Sequence, residues 1–295
     1  MSLDSYKIFE TIARKQSLVR AAEELNLTPS AVSHSLMKLE GKFGFPLVVR
    51  DRTGCELTRN GELLLPSIQS VLLLEKKIWE EVHVLNGLEK GVVHLGTFNS
   101  ACCYWLPDIL IRFKQKYPGI GVNIFQGGYA DIENWLRSSK IDLGFLSLPV
   151  AANFSVTPLI TDRLLCITPV SFQSRYPGRV TIEEIVHQQF IFPEEGYDND
   201  IKSFIRNNNL SISHQHKIRD DSSIVALVES GLGIAIVSEL LLEKVKGNIS
   251  IYTIETDPAR TIGIATQQKE FLTPATKALI QEISSYIKQS QLIVE

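Results

Sequence analysis

The chain has 295 residues, 44% of them apolar and 21% charged, a balance that belongs to a folded globular protein and excludes general disorder. Its formal net charge of −3 gives no overall basic surface, so any nucleic-acid function has to rest on a local gathering of charge. No segment approaches the roughly 18 uninterrupted apolar residues of a membrane span, and the opening MSLDSYKIFE lacks the basic and apolar regions of a secretion signal, which predicts a cytoplasmic protein with no membrane partner. Four cysteines make no disulfide framework and no CxxC lies near a His pair, so neither a metal nor another cofactor is expected.

Ser17 can cap a short helix carrying Val19, Ala21, Ala22 and Leu25, and Asn26 follows where a tight turn is expected. A second helix then starts with Thr28 as its cap and Pro29 in the first position, where a missing N–H costs nothing, and stops at Gly44. At about 100° per residue, Val32, Leu36, Leu39 and Phe43 form one stripe, predicted to be core. Ser30, Ser33, His34 and Met37 fall on the other side, with Lys38 at the flank. That face offers the short donors and the apolar group a helix needs in the major groove. The alternative is an ordinary solvated face.

The stretch FPLVVRDRTGCELT predicts two short strands around a turn at Thr53-Gly54, a β-wing bearing Arg50 and Arg52. From Lys38 to Arg59, five basic residues stand against Glu40, Asp51 and Glu56, so positive charge gathers here, while Glu23 and Glu24 belong to the preceding helix. Arginines on a wing reach phosphate or a minor groove.

A long helix follows, with Thr58 as its cap and an adjustment at Pro66. Leu64, Ile68, Val71, Ile78, Val82 and Leu85 recur mostly at steps of three and four, the pattern of a helix that pairs with another helix. The alternative is a helix packed on its own chain. Gly87 to Gly91 is the expected hinge.

Beyond it, short apolar strands such as VVHLGTF, GVNIFQG, IDLGFLSL, LLCITP, FIFPEE and GIAIVSE alternate with helical stretches, which predicts α/β structure with a mostly parallel sheet. In such sheets ligands bind beyond the carboxyl ends of the strands. Read in order, those ends supply Thr97, Asn99, Ser100 and Ala101, then Gly128 and Tyr129, then Ser147, and from a second set of strands Phe192, Pro193, Glu194 and Asp221. Each alone can be a cap or turn residue. Their recurrence at successive strand ends favours a cleft. In PEEGYDND, Glu194, Glu195, Asp198 and Asp200 concentrate negative charge, which either favours a helix N-terminus or suits an effector with a cationic group.

Phe9, Arg14, Ser17, Arg20-Ala21-Ala22, Leu25-Asn26-Leu27, Thr28-Pro29-Ser30-Ala31-Val32-Ser33, Leu36, Lys38-Leu39-Glu40, Phe43-Gly44, Pro46-Leu47, Arg50, Leu57-Thr58 and Gly61 together resemble the LysR-type transcriptional regulators. His34 stands where that family often has a base-reading Arg, and Val48 where it usually has Phe. The resemblance implies a multidomain fold: a mainly α winged helix-turn-helix over 1–58, a linker and dimerisation helix over 59–88, and a two-lobed α/β effector domain over 89–295 that is similar to a periplasmic binding protein. Lobe I is expected at about 91–161 and 266–295, and lobe II at about 162–265. It further implies a ligand-responsive, sequence-specific regulator that binds double-stranded DNA at a pseudo-palindromic operator. Homodimers or homotetramers, an effector between the lobes and contact with RNA polymerase belong to the same expectation. Ser100 matches the family's hydroxyl at the helix that receives an effector carboxylate.

Catalysis is the competing reading from another class. The one arrangement to name is Cys102 or Cys103 with His94 or His214, and no GxSxG elbow or P-loop is present, so no enzyme is expected. Cys102 and Cys103 read as small buried residues, with a thiol sensor as the alternative. A small-molecule binding protein without a DNA function leaves the first sixty or so residues unexplained.

Overall fold

The computed structural model describes residues 3–50, 54–85, 90–150, 154–194, 196, 199–210, 214–242 and 247–292. The chain divides into two compact units, Met1–Leu88 and Glu89–Glu295. Among the described residues, no helix is long and apolar enough to cross a membrane.

The first unit begins with α1 (Leu3–Lys15), α2 (Leu18–Leu25) and α3 (Pro29–Phe43). Their ends follow local chemistry. The Ser17 hydroxyl accepts from the Arg20 N–H at 3.4 Å, and Asn26 takes a left-handed conformation at the end of α2. Thr28 accepts from the Ala31 N–H at 3.2 Å, and Gly44, at φ 80°, lets its N–H return to the Glu40 carbonyl. Val32, Leu36 and Leu39 are buried against Phe9, Ile12, Ala21 and Ala22. One expected core position differs: Phe43 is only half-buried beside Phe45, because it sits in the last turn of α3 where the core thins out.

The wing consists of β1 (Val48–Arg50) and β2 (Cys55–Leu57), paired antiparallel. Thr58 then caps α4 (Arg59–Leu85) by accepting from the Gly61 N–H at 3.0 Å. The helix runs through Pro66. Its first turns pack on the core through Leu64, Leu65 and Ile68, while Val71, Ile78 and Leu85 are exposed.

The second unit opens with β3 (Gly91–Thr97), α5 (Asn99–Tyr104), α6 (Leu106–Lys116), β4 (Ile120–Gln126), α7 (Tyr129–Arg137) and β5 (Leu143–Leu148). Then come β6 (Ser155–Pro169), β7 (Arg179–Val180), α8 (Ile182–Val186), β8 (Phe190–Pro193), α9 (Asn199–Asn207) and β9 (His214–Ile218). It ends with α10 (Asp221–Glu229), β10 (Ala235–Ser238), α11 (Glu239–Leu242), β11 (Ile249–Ile254), β12 (Ala259–Thr266), a short 3-10 turn and α12 (Pro274–Leu292).

β6 crosses from one lobe to the other. Its residues from Ser155 to Arg163 pair with β12, and those from Leu164 to Pro169 pair with β10 and β11. The chain returns between β11 and β12, at residues 255–258, because β12 pairs with β5 in the first lobe. The return therefore comes earlier than the expected 265, since an apolar strand alone does not say which sheet it joins. The sheet is also mixed rather than mostly parallel. β3 is parallel to β4 and β5, but β12 runs antiparallel to β5 and β6, and β6 antiparallel to β10 and β11. Apolar cores lie in each lobe, around Phe113 and Phe145 in the first and Phe190 and Ile236 in the second.

Candidate DNA-binding surface and effector cleft

On α3, burial of Val32, Leu36 and Leu39 turns the opposite face outward. Thr28, Pro29, Ser30, His34, Met37 and Lys38 are exposed and Ser33 is half-buried. The Ser30 and Thr28 hydroxyls lie 3.0 Å apart at the N-terminus, where the positive end of the helix dipole faces solvent. The side chain of Arg50, and Arg52 and Thr53 entirely, lie outside the described residues.

Two nearby acids are structural. Glu24 pairs with Arg14 and with Lys15, the latter at 2.7 Å, tying α2 to α1. The hydrogen bond from Arg14 holds its carboxyl down at about 2, so it is ionised and matched at neutral pH. Glu40 accepts from the backbone N–H groups of Leu47 at 2.8 Å and Val48 at 3.2 Å, so it fixes the approach to the wing. Read as charge alone, both counted against DNA; a carboxylate spent on an internal donor contributes far less repulsion.

In the second unit a cavity of about 70 Å³ lies between the lobes. Asn99, Ser100, Gly128 and Tyr129 line it from the first lobe, and Pro193 and Asp221 from the second. Other expected residues stand elsewhere. Thr97 and Ala101 are fully buried behind the wall, Phe192 packs on Phe190 with ring centroids 4.7 Å apart, and Glu194 is exposed with Arg219 at 3.9 Å. Thr97 ends its strand, Ala101 lies inside α5, and Phe192 and Glu194 flank the end of β8, and a single step in an extended or helical segment swings the side chain away. Ser147 does not line the cavity but joins its network.

At the heart of that network is Arg260, on β12, whose side chain is only 8% exposed. It faces Asp162 across the β12–β6 ladder, with the two residues in register, and the guanidinium reaches the carboxylate at 2.8 and 2.7 Å. It also donates to the Tyr129 hydroxyl at 2.7 Å and the Ser100 hydroxyl at 3.1 Å, and covers the Phe98 ring at 5.1 Å. Burial pulls its pKa down, but Tyr129, Asp162 and Asp200 outweigh that and leave it above the ordinary arginine range. Burial likewise pushes the Tyr129 hydroxyl well above its usual range, so it remains protonated and can donate.

Asp200, in the first turn of α9, completes the set. Its carboxylate accepts from Ser147 at 2.6 Å and Tyr129 at 2.9 Å and lies 3.5 Å from Arg260. A second bond between the lobes runs from the Asn99 amide to Asp221 at 3.0 Å. Burial raises the Asp221 carboxyl above its ordinary range. The helix cap here is Asp220, which accepts from the Ser223 N–H at 2.9 Å and leaves Asp221 to face Asn99.

Arg260 and Asp162 were not among the expected site residues. Their trace in the sequence is a lone arginine in the apolar strand ARTIGIAT and the adjacent Asp162 and Arg163 in SVTPLITDRLLCITP, and only the register brings Arg260 and Asp162 together.

A helix-turn-helix with a wing, joined to two lobes with double crossing strands, agrees with the comparisons. The family model described as "Bacterial regulatory helix-turn-helix protein, lysR family" matches residues 3–62, and "LysR substrate binding domain" matches residues 86–287. The chain belongs to the LysR family of transcriptional regulators.

This LysR-type regulator is 27% identical over 284 residues to an uncharacterized HTH-type transcriptional regulator, YvbU, of Bacillus subtilis, covering 95% of this chain and 97% of that one. Full-length OxyR of Pseudomonas aeruginosa, solved as a cysteine-to-aspartate variant, shares its fold at a TM-score of 0.76 and 20% identity, over 96% of this chain and 98% of that chain. The Synechocystis CcmR regulatory domain, solved in complex with 2-PG, matches at 0.63 and 20% identity, over 68% of this chain and 98% of that chain. The LysR-type chain is a DNA-binding transcriptional regulator with a small-molecule effector domain, and its relatives are named as regulators, not enzymes.

Among the described residues, the cysteine pair of this regulator meets no histidine. Cys102 is half-buried, with burial raising its thiol pKa, and Cys103 is exposed with its thiol 3.6 Å from the Asn99 carbonyl oxygen. The sequence had both as buried, but they fall on successive positions of a short helix that presents one of them outward. His94 is engaged with Asp142 at 3.3 Å and Asn123 at 3.4 Å, and the His214 side chain lies outside the described residues.

Proposed function

We propose that this regulator binds a pseudo-palindromic operator as a dimer, with the two α3 helices in successive major grooves and Ser30, Ser33, His34 and Met37 toward base edges. Thr28, Pro29 and Lys38 meet the phosphates, and Arg50, Arg52 and Thr53 of the wing hold the backbone. What carries this reading is the division of α3 into a buried stripe and an exposed, hydroxyl-rich face. Pairing of chains through α4 is supported by its outward apolar side chains, Ile78 at 58% and Trp79 at 60% exposed. Dimers then join as a homotetramer in the cytoplasm, and an effector held among Asn99, Ser100, Tyr129 and Asp221 changes their placement and their contact with RNA polymerase.

Gel shift on the DNA upstream of the regulator's own gene tests the docking face. His34→Glu is expected to weaken binding about 10-fold or more, or about 1.4 kcal/mol, by setting a carboxylate against the duplex. Its thermal unfolding should match the wild type, since His34 is exposed. Equal affinity of the two proteins would take α3 out of the interface.

A further inference from the structure

The cavity between the lobes is small, about 70 Å³, and both lobes line it. An effector that enters has to compete with groups the chain already places there.

The groups around the cavity show which. Ser147, Tyr129 and Arg260 converge as two hydroxyl donors and a guanidinium, a receptor for a carboxylate. They already hold one, from the chain itself. Asp200 takes both hydroxyls, one on each oxygen, and lies on the far lobe from Ser147 and Tyr129. Asp162 is not free to leave: it is 4% exposed, is bound twice by Arg260 and accepts from the Leu240 N–H at 3.0 Å. Asp200 is the more exposed carboxylate at 16%, and its distance to the guanidinium is the longer, 3.5 Å. Moving it into water restores its hydration, while removing it from the donors leaves them vacant for another anion of the same shape.

We propose that Asp200 is a resident anion that closes the cleft, and that the effector is a small organic carboxylate that displaces it from Tyr129, Ser147 and Arg260. This rests on the reading of the cleft as the effector site. The exchange swaps one carboxylate for another, so the charge matched by Arg260 does not change. What changes is the tie between the lobes: an effector carboxylate satisfies the first-lobe donors without α9, and the bonds from Asp200 across the cleft are lost. Asp200's share of the acidity in this segment is thus taken up internally and is not a reason to expect a cationic ligand.

Chemical rescue tests the assignment on the full-length chain without knowing the effector. Asp200→Ala leaves a carboxylate-shaped gap beside three intact donors, and acetate is the probe. Acetate at about ten times its dissociation constant should raise the unfolding temperature of the variant's effector domain by about 2–4 °C over sodium chloride of equal ionic strength, and leave the wild type unshifted. Asp200→Ser, whose side chain is also too short to fill the gap, should respond in the same sense and serves if the alanine variant does not fold. No acetate response in a folded variant, or an equal one in the wild type, overturns the proposal. The effector reading is judged separately, by whether a small-molecule extract of the cell changes the wild type's operator affinity. An extract response without acetate rescue removes the resident anion and leaves the effector cleft standing; rescue without an extract response does the reverse.

Discussion

Arg260→Met is expected to destabilise the effector-binding unit by about 3–5 kcal/mol, the cost of leaving buried carboxylates without their partner. Asp162 and Arg260 are 4% and 8% exposed, so water cannot take over the role of the guanidinium. Methionine fills much of the volume but offers no donor to Asp162, Asp200, Tyr129 or Ser100. Arg260→Lys should recover only part of the loss, because one ammonium cannot hold Asp162 Oδ2 and still reach the two hydroxyls, which the guanidinium meets with separate nitrogens. Adding Asp162→Asn to the methionine variant should restore stability, since the amide oxygen can still accept from the Leu240 N–H without a buried charge. Urea unfolding followed through Trp105 and Trp135, both in this unit, measures all three. A loss below about 1 kcal/mol for Arg260→Met would mean that the pair is solvated and the network does not hold the lobes.

The second large effect belongs to the first unit. Gly61→Ala is expected to cost at least about 3 kcal/mol and to weaken operator binding along with stability. A Cβ at Gly61 would lie 2.2 Å from the Leu47 carbonyl oxygen and 3.3 Å from the Leu57 side chain. The oxygen it meets is backbone, held by the Thr58 N–H at 2.9 Å, and Leu47 is itself tied to Glu40. Relief therefore requires moving the entry to the wing away from α4. Gly41 is the control: it lies in α3 with nothing within 4 Å of its would-be Cβ, so Gly41→Ala should stabilise by up to about 1 kcal/mol through helix propensity. Thermal unfolding of the two variants separates close approach from flexibility. If Gly61→Ala unfolds like the wild type, the contact with Leu47 does not constrain the wing.

How much of this was legible in the sequence depended on the range of the interactions. The caps at Ser17, Thr28 and Thr58 and the buried stripe of α3 are set by residues within one or two turns, and pattern alone placed them. The two-lobed α/β architecture also followed from the alternation of elements. Strand direction did not, because β6 and β12 have the same apolar texture as the parallel strands and differ only in the distant strands they pair with. In the cleft, Asn99, Ser100, Gly128, Tyr129, Pro193 and Asp221 were found by counting strand ends, since the topology puts those ends at one edge. Arg260 and Asp162 escaped that count because they lie within strands, and their meeting depends on a ladder between segments far apart in the chain. Glu24 and Glu40 were visible as charges, but their partners, Arg14 and the N–H groups of Leu47 and Val48, emerge only from packing.

The in-register Asp162 and Arg260 sit beside the two points where the chain passes between the lobes, and the same guanidinium looks into the cavity. A change of diet for this regulator, by evolution or by engineering, is therefore constrained at one point and open at others. The arginine cannot be traded without loosening the joint, whereas Ser147, Tyr129 and Asp200 can be varied around it, so altered taste for a molecule should arise from the ring of neighbours and leave the central cation in place.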